Sequence, residues 1–339
     1  MDQTEPVATL FLRFITDRFG RFIGRGKRLA VESCHLNGAA VNLLSMLRLL
    51  LAGCAALLAL ICPAAASDAA RHLCFSRDDA IWLANLDGTG ARKVVTGVDP
   101  AISPDGARIA YTQLGKGTMR HIAVFDLASA SEVVLGSMPS DNAYGPVWSP
   151  DEKYLLFKIF AGDHWRVALV GSDGAGFQFL GELSPANEDF QSPAWAIDGK
   201  SIYAQDLTYI YQLDLNGKVS KQWKIAEALS EADLNSNDRF DSAEDGKSLL
   251  LDADLNEEGH IKAWEGPPPA IFLFDINTGK SKRISPPKVY AWDPCWLNAE
   301  EYVFTCTTDG RHFGIYKLSL TGKEPQLLLK NASGATVSK

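Results

Sequence analysis

The chain is poor in residues that build disulfide and metal frameworks, with 6 cysteines, 6 histidines and 4 methionines among 339 residues. It also lacks a basic excess, since 33 Lys and Arg stand against 41 Asp and Glu, a formal net charge of −8. Binding to phosphate backbones or anionic lipid surfaces needs a basic face, so we expect neither nucleic acid nor an anionic membrane surface as a partner. The 46% of apolar residues permits a packed core and excludes disorder throughout.

The longest apolar stretch, residues 47–66, contains a single charge at Arg48. A secretory signal has a basic start, an apolar run of about 7–15 residues and small residues before the cleavage point. The Met-Leu-Arg at 46–48 supplies the start, and the three alanines at 64–66 supply the small residues. The predicted divisions are a mis-called N-terminal extension (1–45), a signal peptide (46–66) and the exported domain (67–339).

Two other interpretations of this segment stay open. If Met1 is the true start, six basic residues precede the segment on the cytoplasmic side, and the apolar stretch is long enough to remain as a membrane anchor. The Leu-Ala-Gly-Cys at 51–54 also resembles a lipobox, in which Cys54 would carry lipid. Every interpretation places the remaining domain outside the cytoplasm, in the periplasm or secreted. Only an uncleaved segment would attach it to a membrane.

Residues 67–339 hold 26 basic and 37 acidic residues and three cysteines. Cys74, Cys295 and Cys306 allow at most one internal disulfide. A hairpin turn near residues 298–300 would leave Cys295 and Cys306 about three residues out of register, so we expect free thiols. Because the domain is not a disulfide framework, its stability must come from its core.

One pattern recurs along this domain: a Trp or another apolar residue, a turn similar to Ser-Pro-Asp-Gly, and then an apolar run. The turn aspartates of four copies are Asp105, Asp151, Asp198 and Asp245. They are separated by 46, 47 and 47 residues, and a degraded fifth copy begins at Trp296. In the fourth copy, Phe240 is interpreted as standing where other copies have Trp. We expect Trp148, Trp195 and Trp296 to fill the cores of the repeats.

A second pattern alternates with the first: a short apolar strand that ends in an Asp-Gly or Asn-Gly type of turn, as in residues 210–217. Together the two patterns predict four short strands in each repeat. A four-stranded unit that recurs about every 40–50 residues is typical of a β-propeller blade. A helical solenoid is excluded, because no repeat keeps a 3.6-residue period over ten residues.

The pattern predicts an all-β fold, a six-bladed β-propeller of four-stranded antiparallel blades. Five complete units cover residues 100–136, 145–181, 192–225, 238–285 and 294–329. The remaining three strands, near residues 71–95, lack an inner strand, which the tail at 334–339 is expected to supply. Pairing the C-terminal strand with the N-terminal blade closes the ring and removes open sheet edges.

The Ser-Pro-Asp-Gly turns and the Asp-Gly-terminated strands resemble the WD40-like propeller repeats of the TolB C-terminal domain, over roughly residues 70–330. Similar repeats occur in the propellers of prolyl oligopeptidases. Two departures limit what the resemblance implies. The stretch between Ala66 and Arg71 has no room for the N-terminal α/β domain of TolB, and no Gly-x-Ser-x-Gly nucleophile elbow of a hydrolase occurs. The resemblance therefore implies an exported, freestanding propeller that acts in recognition.

Long connections are expected to meet at one mouth of the propeller channel, where insertions often carry function. They span residues 136–145, 183–191, 226–238, 252–269 and 286–294. The candidate binding residues in them are Tyr144, Asp189, Phe190, Trp264, Tyr290, Trp292 and Asp293. An acidic mouth with aromatic residues suits a cationic or peptide partner, or a sugar ring that stacks on Trp. The competing interpretation is that these acids only keep the surface soluble.

Residues 233–244 resemble a calcium loop and give the only cofactor hypothesis, Ca²⁺. The candidate ligands are Asp233, Asn235, Asn237, Asp241 and Glu244. Position 6 of such a loop should be Gly and is Asp238 here. The same segment also fits the start of an inner strand, and the two interpretations need different backbones.

The leading functional hypothesis is a monomeric recognition module that binds a protein or peptide of the cell envelope. The alternative is a periplasmic enzyme that processes carbohydrate or peptide at the channel mouth, with or without a metal, although the sequence identifies no catalytic residue. Function has to be argued from a site, because propellers host both binding and catalysis.

Overall fold

A computed structural model describes residues 71–181, 184–185 and 189–339. The predicted N-terminal extension (1–45) and signal peptide (46–66) lie outside the described residues and stay predictions. Within the described ranges, no helix is both long and apolar enough to span a bilayer. These ranges contain 25 strands and one short helix, α1 (Ile225–Ala228).

The strands form six antiparallel sheets that follow one another along the chain as the blades of a propeller, which confirms the predicted fold class. Blade 1 contains β1 (His72–Arg77), β2 (Ala80–Asn85), β3 (Arg92–Thr96) and the C-terminal β25 (Ser333–Val337). Blade 2 contains β4 (Val98–Ile102), β5 (Arg108–Leu114), β6 (Arg120–Asp126) and β7 (Ser131–Val134). Blade 3 contains β8 (Ala143–Trp148), β9 (Tyr154–Ala161), β10 (His164–Gly171) and β11 (Gln178–Phe179).

The second half of the ring repeats this order from the inner strand to the outer strand. Blade 4 contains β12 (Gln191–Trp195), β13 (Ser201–Gln205), β14 (Tyr209–Asp214) and β15 (Val219–Lys224). Blade 5 contains β16 (Ala232–Asp233), β17 (Phe240–Ser242), β18 (Ser248–Leu255), β19 (Pro269–Asp275) and β20 (Lys280–Arg283). Blade 6 contains β21 (Tyr290–Trp296), β22 (Glu301–Thr307), β23 (Phe313–Ser319) and β24 (Gln326–Lys330).

The C-terminal strand closes the ring as predicted. β25 pairs with β1 in antiparallel register, with Val337 opposite Leu73 and Thr336 opposite Cys74. Leu73, Cys74 and Val337 are buried, so the closure adds apolar packing to the hydrogen bonds of the ladder. The hydroxyl of Thr336 accepts a hydrogen bond from the backbone N–H of Ile102 in blade 2 at 3.1 Å, which ties the closing strand to the next blade.

The recurring turns join the inner strand to the second strand and are built by their own side chains. In blade 2, the Ser103 hydroxyl donates to Asp105 Oδ1 at 2.6 Å, and the same oxygen accepts from the backbone N–H of Ala107 at 2.9 Å. Gly106 follows with φ of +72°, a conformation that favours glycine. The turn chemistry therefore explains why turns similar to Ser-Pro-Asp-Gly recur in blades 2 to 5.

The recurring tryptophans lie in the blade interfaces. Trp148 Nε1 donates to the carbonyl of Ala101 in the preceding blade at 2.8 Å, and Trp195 Nε1 donates to Val147 O at 3.2 Å. Trp296 Nε1 makes the same bond to Asp241 O at 3.2 Å. Each tryptophan is buried, so it fills the core and also links adjacent inner strands.

The prediction that Phe240 takes the place of Trp in blade 5 is wrong. Ser242 occupies that register position, since it pairs with Leu249 as Trp148 pairs with Leu155. Its hydroxyl donates to the carbonyl of Trp195, so a serine makes the link between blades here. The error arose because a large apolar residue close to the turn resembles the missing Trp in sequence.

The three cysteines of the propeller are free thiols, as predicted. In the hairpin of blade 6, Cys295 pairs with Val303 and Ala291 pairs with Cys306, so the two thiols are three residues out of register. Burial raises the pKa of Cys306 to about 12, which keeps this thiol protonated and inert.

Candidate functional site

The inner strands carry an irregularity at one level of the channel. The pairing with the second strand shifts register there in five blades, and each shift contains a residue with positive φ. These residues are Asp99, Gly145, Ser192, Asp293 and Gly334, with φ between 50° and 66°. Such bulges interrupt the ladder and re-aim the backbone, so they release N–H groups for side-chain partners.

Buried polar residues form a ring on the second strands at this level, and some of them accept hydrogen bonds from these N–H groups. Thr112 Oγ1 accepts from the N–H of Gly145 at 3.1 Å, and Thr305 Oγ1 accepts from the N–H of Gly334 at 3.1 Å. The ring residues of blades 2 to 6 are Thr112, Lys158, Gln205, Asp252 and Thr305, all buried. This ring was not predicted from the sequence. The signal was present, because a polar residue interrupts the apolar run seven positions after each of the four turn aspartates.

Blade 5 departs from the other blades because its inner strand is broken. β16 ends opposite Asp254 and β17 begins opposite Leu251, so residues 234–239 face only two residues of β18. We name residues 234–239 the channel loop. The excess length forces the loop out of the sheet, and its residues from Asn235 to Arg239 line the channel.

The channel loop is held by side chains from three blades and by its own contact with a fourth. Lys158 Nζ of blade 3 donates to Ser236 O at 2.8 Å, and Gln205 Nε2 of blade 4 donates to Asn235 O at 2.8 Å. Asp254 in blade 5 accepts from Asn235 Nδ2 at 3.0 Å. Arg239 of the loop reaches the carbonyl of a residue in β25 at 3.4 Å. The loop therefore has a fixed position beside the channel.

The channel encloses a cavity of about 750 Å³ that is lined by residues of all six blades. Five carboxyl groups from blades 5 and 6 line it: Asp238, Asp241, Asp252, Asp254 and Asp293. Asp99 of blade 2 adds a sixth, more exposed carboxyl.

Two of these carboxyl groups are almost fully buried. Asp238 is 6% exposed and Asp252 is 5% exposed. They accept only backbone hydrogen bonds among those resolved in the described residues: Asp238 from Asn235 at 2.5 Å, and Asp252 from Arg239 at 2.7 Å and Asp293 at 3.4 Å. Burial, and then the charge of Asp252, raises the pKa of Asp238 to about 10. Burial and the charge of Asp293 raise the pKa of Asp252 to about 7.

The cations that line the cavity do not pair with these carboxylates. Across the described ranges, none of the six carboxyl groups has a Lys, Arg or His nitrogen within 4.0 Å. Lys158 points to Ser236 O and lies over the ring of Tyr144, 5.0 Å from its centroid. Burial, together with the charge of Arg120, lowers the pKa of Lys158 to about 8. The blade 5 side of the channel therefore has an excess of carboxyl groups.

An aromatic wall lies beside the carboxyl groups. The rings of Trp264 and Trp292 are 5.4 Å apart and tilted by 45°. Tyr290 supports Trp264 edge-on from 5.5 Å, and its hydroxyl accepts from the backbone N–H of Ile261 at 3.0 Å. The two tryptophans are half-buried and line the cavity, so part of each ring faces the channel.

Four of the candidate binding residues line this channel: Tyr144, Trp264, Trp292 and Asp293. The other three lie outside its lining in the described structure. Asp189 accepts from the backbone N–H of Trp165 at 2.9 Å. Phe190 is buried against Tyr211, and Tyr290 is buried beneath Trp264.

The candidate calcium ligands lie on the broken inner strand of blade 5. Asn235 Oδ1 accepts from the N–H of Asn237 at 2.7 Å, and Asp241 Oδ2 accepts from the N–H of Trp296 at 2.7 Å. Asp233 and Glu244 are exposed. Over the described residues, no group of three or more His, Cys, Asp or Glu is arranged to hold a metal ion. Calcium binding by these five residues stays a prediction.

No family model matches the chain, and no curated protein matches it. Solved structures do. TolB from Acinetobacter baumannii has a TM-score of 0.60 at 19% identity, covering 79% of this chain and 66% of that one. A structure described as TolB from Agrobacterium tumefaciens has a TM-score of 0.54 at 14% identity, covering 79% and 97%.

A chain of a nidogen/laminin complex is also similar, with a TM-score of 0.57 at 11% identity, covering 79% of this chain and 98% of that one. At these identities the similarity concerns the fold alone. It confirms the resemblance that the repeats indicate: the chain has a six-bladed propeller of the TolB type.

Proposed function

We propose that this chain is a recognition module that binds a protein or peptide partner at the mouth of its channel, outside the cytoplasm. The observation that best supports this proposal is the cavity of about 750 Å³, with half-buried Trp264 and Trp292 on its wall. Ligand sites of this kind measure about 300–1,000 Å³ and combine aromatic walls with a few polar groups. Tryptophan is also enriched among the residues that dominate binding energy.

The end of the propeller that carries the long connections supports a macromolecular partner. Four exposed apolar side chains lie on hairpins between second and third strands, which are all at this end. They are Leu114, Met119, Leu207 and Phe313. Scattered apolar residues are normal on a surface, but several at the end that carries the long connections favour a contact area there. We therefore expect the partner to cover the rim and to insert a segment into the channel.

The aromatic wall is positioned before any partner binds. The blade 5 connection that carries Trp264 packs against a hairpin of blade 6, where an added Cβ at Gly310 would lie 2.9 Å from the backbone nitrogen of Trp264. Trp264 Nε1 donates to Pro267 O at 3.0 Å within the same connection. A preformed site loses less conformational entropy on binding, which favours affinity.

Catalysis at the channel has less support from the geometry. None of the five histidines in the described ranges lines the cavity. His164 and His312 pair with neighbouring aspartates at 2.6 and 2.7 Å, and His260 packs on Tyr290. A nucleophile with an adjacent base is the usual signature of covalent catalysis, and the three thiols in these ranges are buried.

The test uses a display library of random 12-residue peptides selected against the purified protein. Binding of the selected peptides is then measured by fluorescence anisotropy on three proteins. The double variant Trp264→Ala/Trp292→Ala should lose at least about tenfold in affinity, since each tenfold corresponds to about 1.4 kcal/mol. The control Leu327→Ala removes an exposed apolar side chain from the outer strand of blade 6 and should bind like wild type.

Melting temperatures within about 2 °C of wild type would show that both variants are folded. The proposal is overturned if no peptide is selected, or if the selected peptides bind the double variant as tightly as wild type.

A further inference from the structure

Building on the proposed function, we propose that the partner presents one cationic group, an ammonium or a guanidinium, which enters the channel beside Asp238 and pairs with the carboxylates of Asp252 and Asp293. The cation has two possible peptide sources, a free N-terminus or a Lys or Arg side chain. They share the chemistry that the channel recognises, and the experiment below separates them.

The burial of the carboxyl groups supports a cationic ligand. Asp238 and Asp252 are more than nine-tenths buried, yet they line an open cavity instead of the apolar core. The hydrogen bonds they receive come from backbone N–H groups of Asn235, Arg239 and Asp293. A buried carboxylate without a cationic partner is costly. An incoming cation would remove this cost, which gives the channel a strong preference for positive charge.

The fold does not require an acid at this level of the channel, which favours a role for Asp252 in binding. Thr305 occupies the position of Asp252 in the next blade, and its neutral hydroxyl accepts from the N–H of Gly334 at 3.1 Å. Thr112 does the same for Gly145 at 3.1 Å. A neutral acceptor therefore satisfies the bulge. The carboxyl of Asp252 supplies a charge that the architecture of the blade does not need.

The cations of the cavity lining, Lys158, Arg239 and Lys339, do not pair with the channel carboxylates. Lys158 donates to Ser236 O at 2.8 Å and lies over Tyr144. The Arg239 guanidinium donates to Ala335 O at 3.4 Å. Lys339 is exposed at the end of the chain. All three soften the negative potential of the channel, but none has its nitrogen within 4.0 Å of a channel carboxylate in the described chain. The space beside the carboxyl groups is left to the ligand.

The aromatic wall of Trp264 and Trp292 also favours a cationic ligand. Indole rings attract cations through the negative face of the ring, and Trp is the strongest of the aromatic side chains in this respect. Trp264 and Trp292 line the same cavity as the carboxyl groups. The opposite side of the channel already shows this interaction, because the Arg120 guanidinium lies 4.2 Å from the centroid of Tyr144. Carboxylates combined with indole rings favour an ammonium or guanidinium over a neutral sugar.

The experiment uses peptides from the selection described above that lose binding to Trp264→Ala/Trp292→Ala. Each peptide is synthesised in three forms: the parent, a form with Lys or Arg replaced by norleucine, and an N-acetylated form. Affinities are measured on wild type, on Asp252→Asn and on Glu231→Gln. The last variant is the control, because Glu231 is an exposed carboxyl next to β16 of the same blade and outside the cavity lining.

We expect either the norleucine form or the acetylated form to lose at least about tenfold in affinity. A weaker norleucine form identifies the Lys or Arg side chain as the cation, and a weaker acetylated form identifies the N-terminus. Asp252→Asn should weaken binding of the parent by a similar factor and leave binding of the neutral form unchanged, whereas Glu231→Gln should change neither. A merely structural role of Asp252 would weaken both forms equally.

The pH dependence adds a second readout. The charged groups that line the cavity with Asp252 are Asp99, Asp238, Asp241, Asp254, Asp293, Lys158, Arg239 and Lys339. Where the cation is a Lys or Arg side chain, affinity for the parent should rise several-fold from pH 6 to pH 8 as Asp252 loses its proton. Where it is a free N-terminus, which loses its own proton at about pH 8, the rise should end at about pH 7. In both cases the rise should vanish in Asp252→Asn. The inference is overturned if both neutral forms bind like the parent, or if Asp252→Asn leaves the parent's affinity unchanged. Peptides that bind outside the channel would instead overturn the proposed function.

Discussion

The links between neighbouring inner strands predict a specific effect of Trp148→Phe. Trp148 is buried, its Nε1 donates to Ala101 O in the preceding blade at 2.8 Å, and the Arg108 guanidinium lies 4.6 Å from its ring. Phenylalanine keeps an aromatic ring in the interface but removes the donor and part of the volume. The substitution therefore isolates the bond between blades from the general need for an apolar residue.

The expected loss follows from three contributions. A buried carbonyl left without its donor costs about 1–3 kcal/mol. The smaller ring leaves unfilled space, at about 24 cal/mol for each Å³ that does not collapse. The weaker contact with Arg108 removes a few tenths of a kcal/mol, because Phe attracts cations less than Trp. Together these predict that Trp148→Phe lowers the free energy of unfolding by roughly 2–4 kcal/mol.

Urea unfolding followed by circular dichroism measures this change. An unaltered m value would show that unfolding exposes the same amount of surface in the variant as in wild type. Trp264→Phe is the matched control, because it makes the same chemical change where Nε1 donates within its own connection, to Pro267 O. We expect the control to lose less than about 1 kcal/mol. Equal losses in the two variants would refute the interpretation that the recurring tryptophans lock neighbouring blades.

Two further predictions concern the closure and the channel. Deleting residues 331–339 removes β25 and exposes the edge of β1, so we expect aggregation or loss of a cooperative transition in size-exclusion and thermal-denaturation experiments; a monomer that still unfolds cooperatively would contradict the closure. Burial raises the pKa of Asp252 to about 7 from 3.8. The folded state then binds this proton more tightly, so ionisation from about pH 4 to pH 7 lowers stability, by up to roughly 4 kcal/mol. The free energy of unfolding of Asp252→Asn minus that of wild type, both measured with urea, should therefore grow with pH across this window. A difference that stays constant or shrinks would contradict the prediction.

The architecture was predictable because each blade repeats the same local chemistry. The aspartate turns, the glycines that follow them and the apolar runs recur at spacings of 46 and 47 residues, and no blade can bury its faces alone. The missing inner strand of the first blade also predicted that the tail at 334–339 returns to it. β25 does so, with Val337 opposite Leu73.

The site was predictable only in part, because its residues meet through ring closure and not through proximity in sequence. Trp264, Trp292 and Asp293 lie in long connections, and this placement was enough to select them. Asp238 and Asp252 were not selected as binding residues, since the first looked like a defect in a calcium loop and the second like part of a strand. Their burial beside the channel follows from the break between β16 and β17, which the sequence pattern does not reveal.

The polar ring shows where a closer comparison of the repeats would have helped. A buried strand normally excludes charge, so Lys158 and Asp252 at equivalent positions of two blades are unusual in apolar runs. Alignment on the turn aspartates places both at position seven, beside Thr112 and Gln205. The period of the repeat thus carries information about the channel as well as about the fold.

The ionisation of the channel carboxyl groups is the most direct measure of whether they lack a cation of the protein's own. Carbon-13 NMR of protein labelled at the aspartate carboxyl carbon follows each group through a pH titration, and Asp252→Asn assigns one signal. The account predicts that this signal titrates near pH 7, because burial and the charge of Asp293 raise the pKa of Asp252 to about 7. It also predicts that Asp238 is still protonated at neutral pH. A titration of Asp252 below about pH 4.5, within the ordinary range of a solvated aspartate, would contradict it.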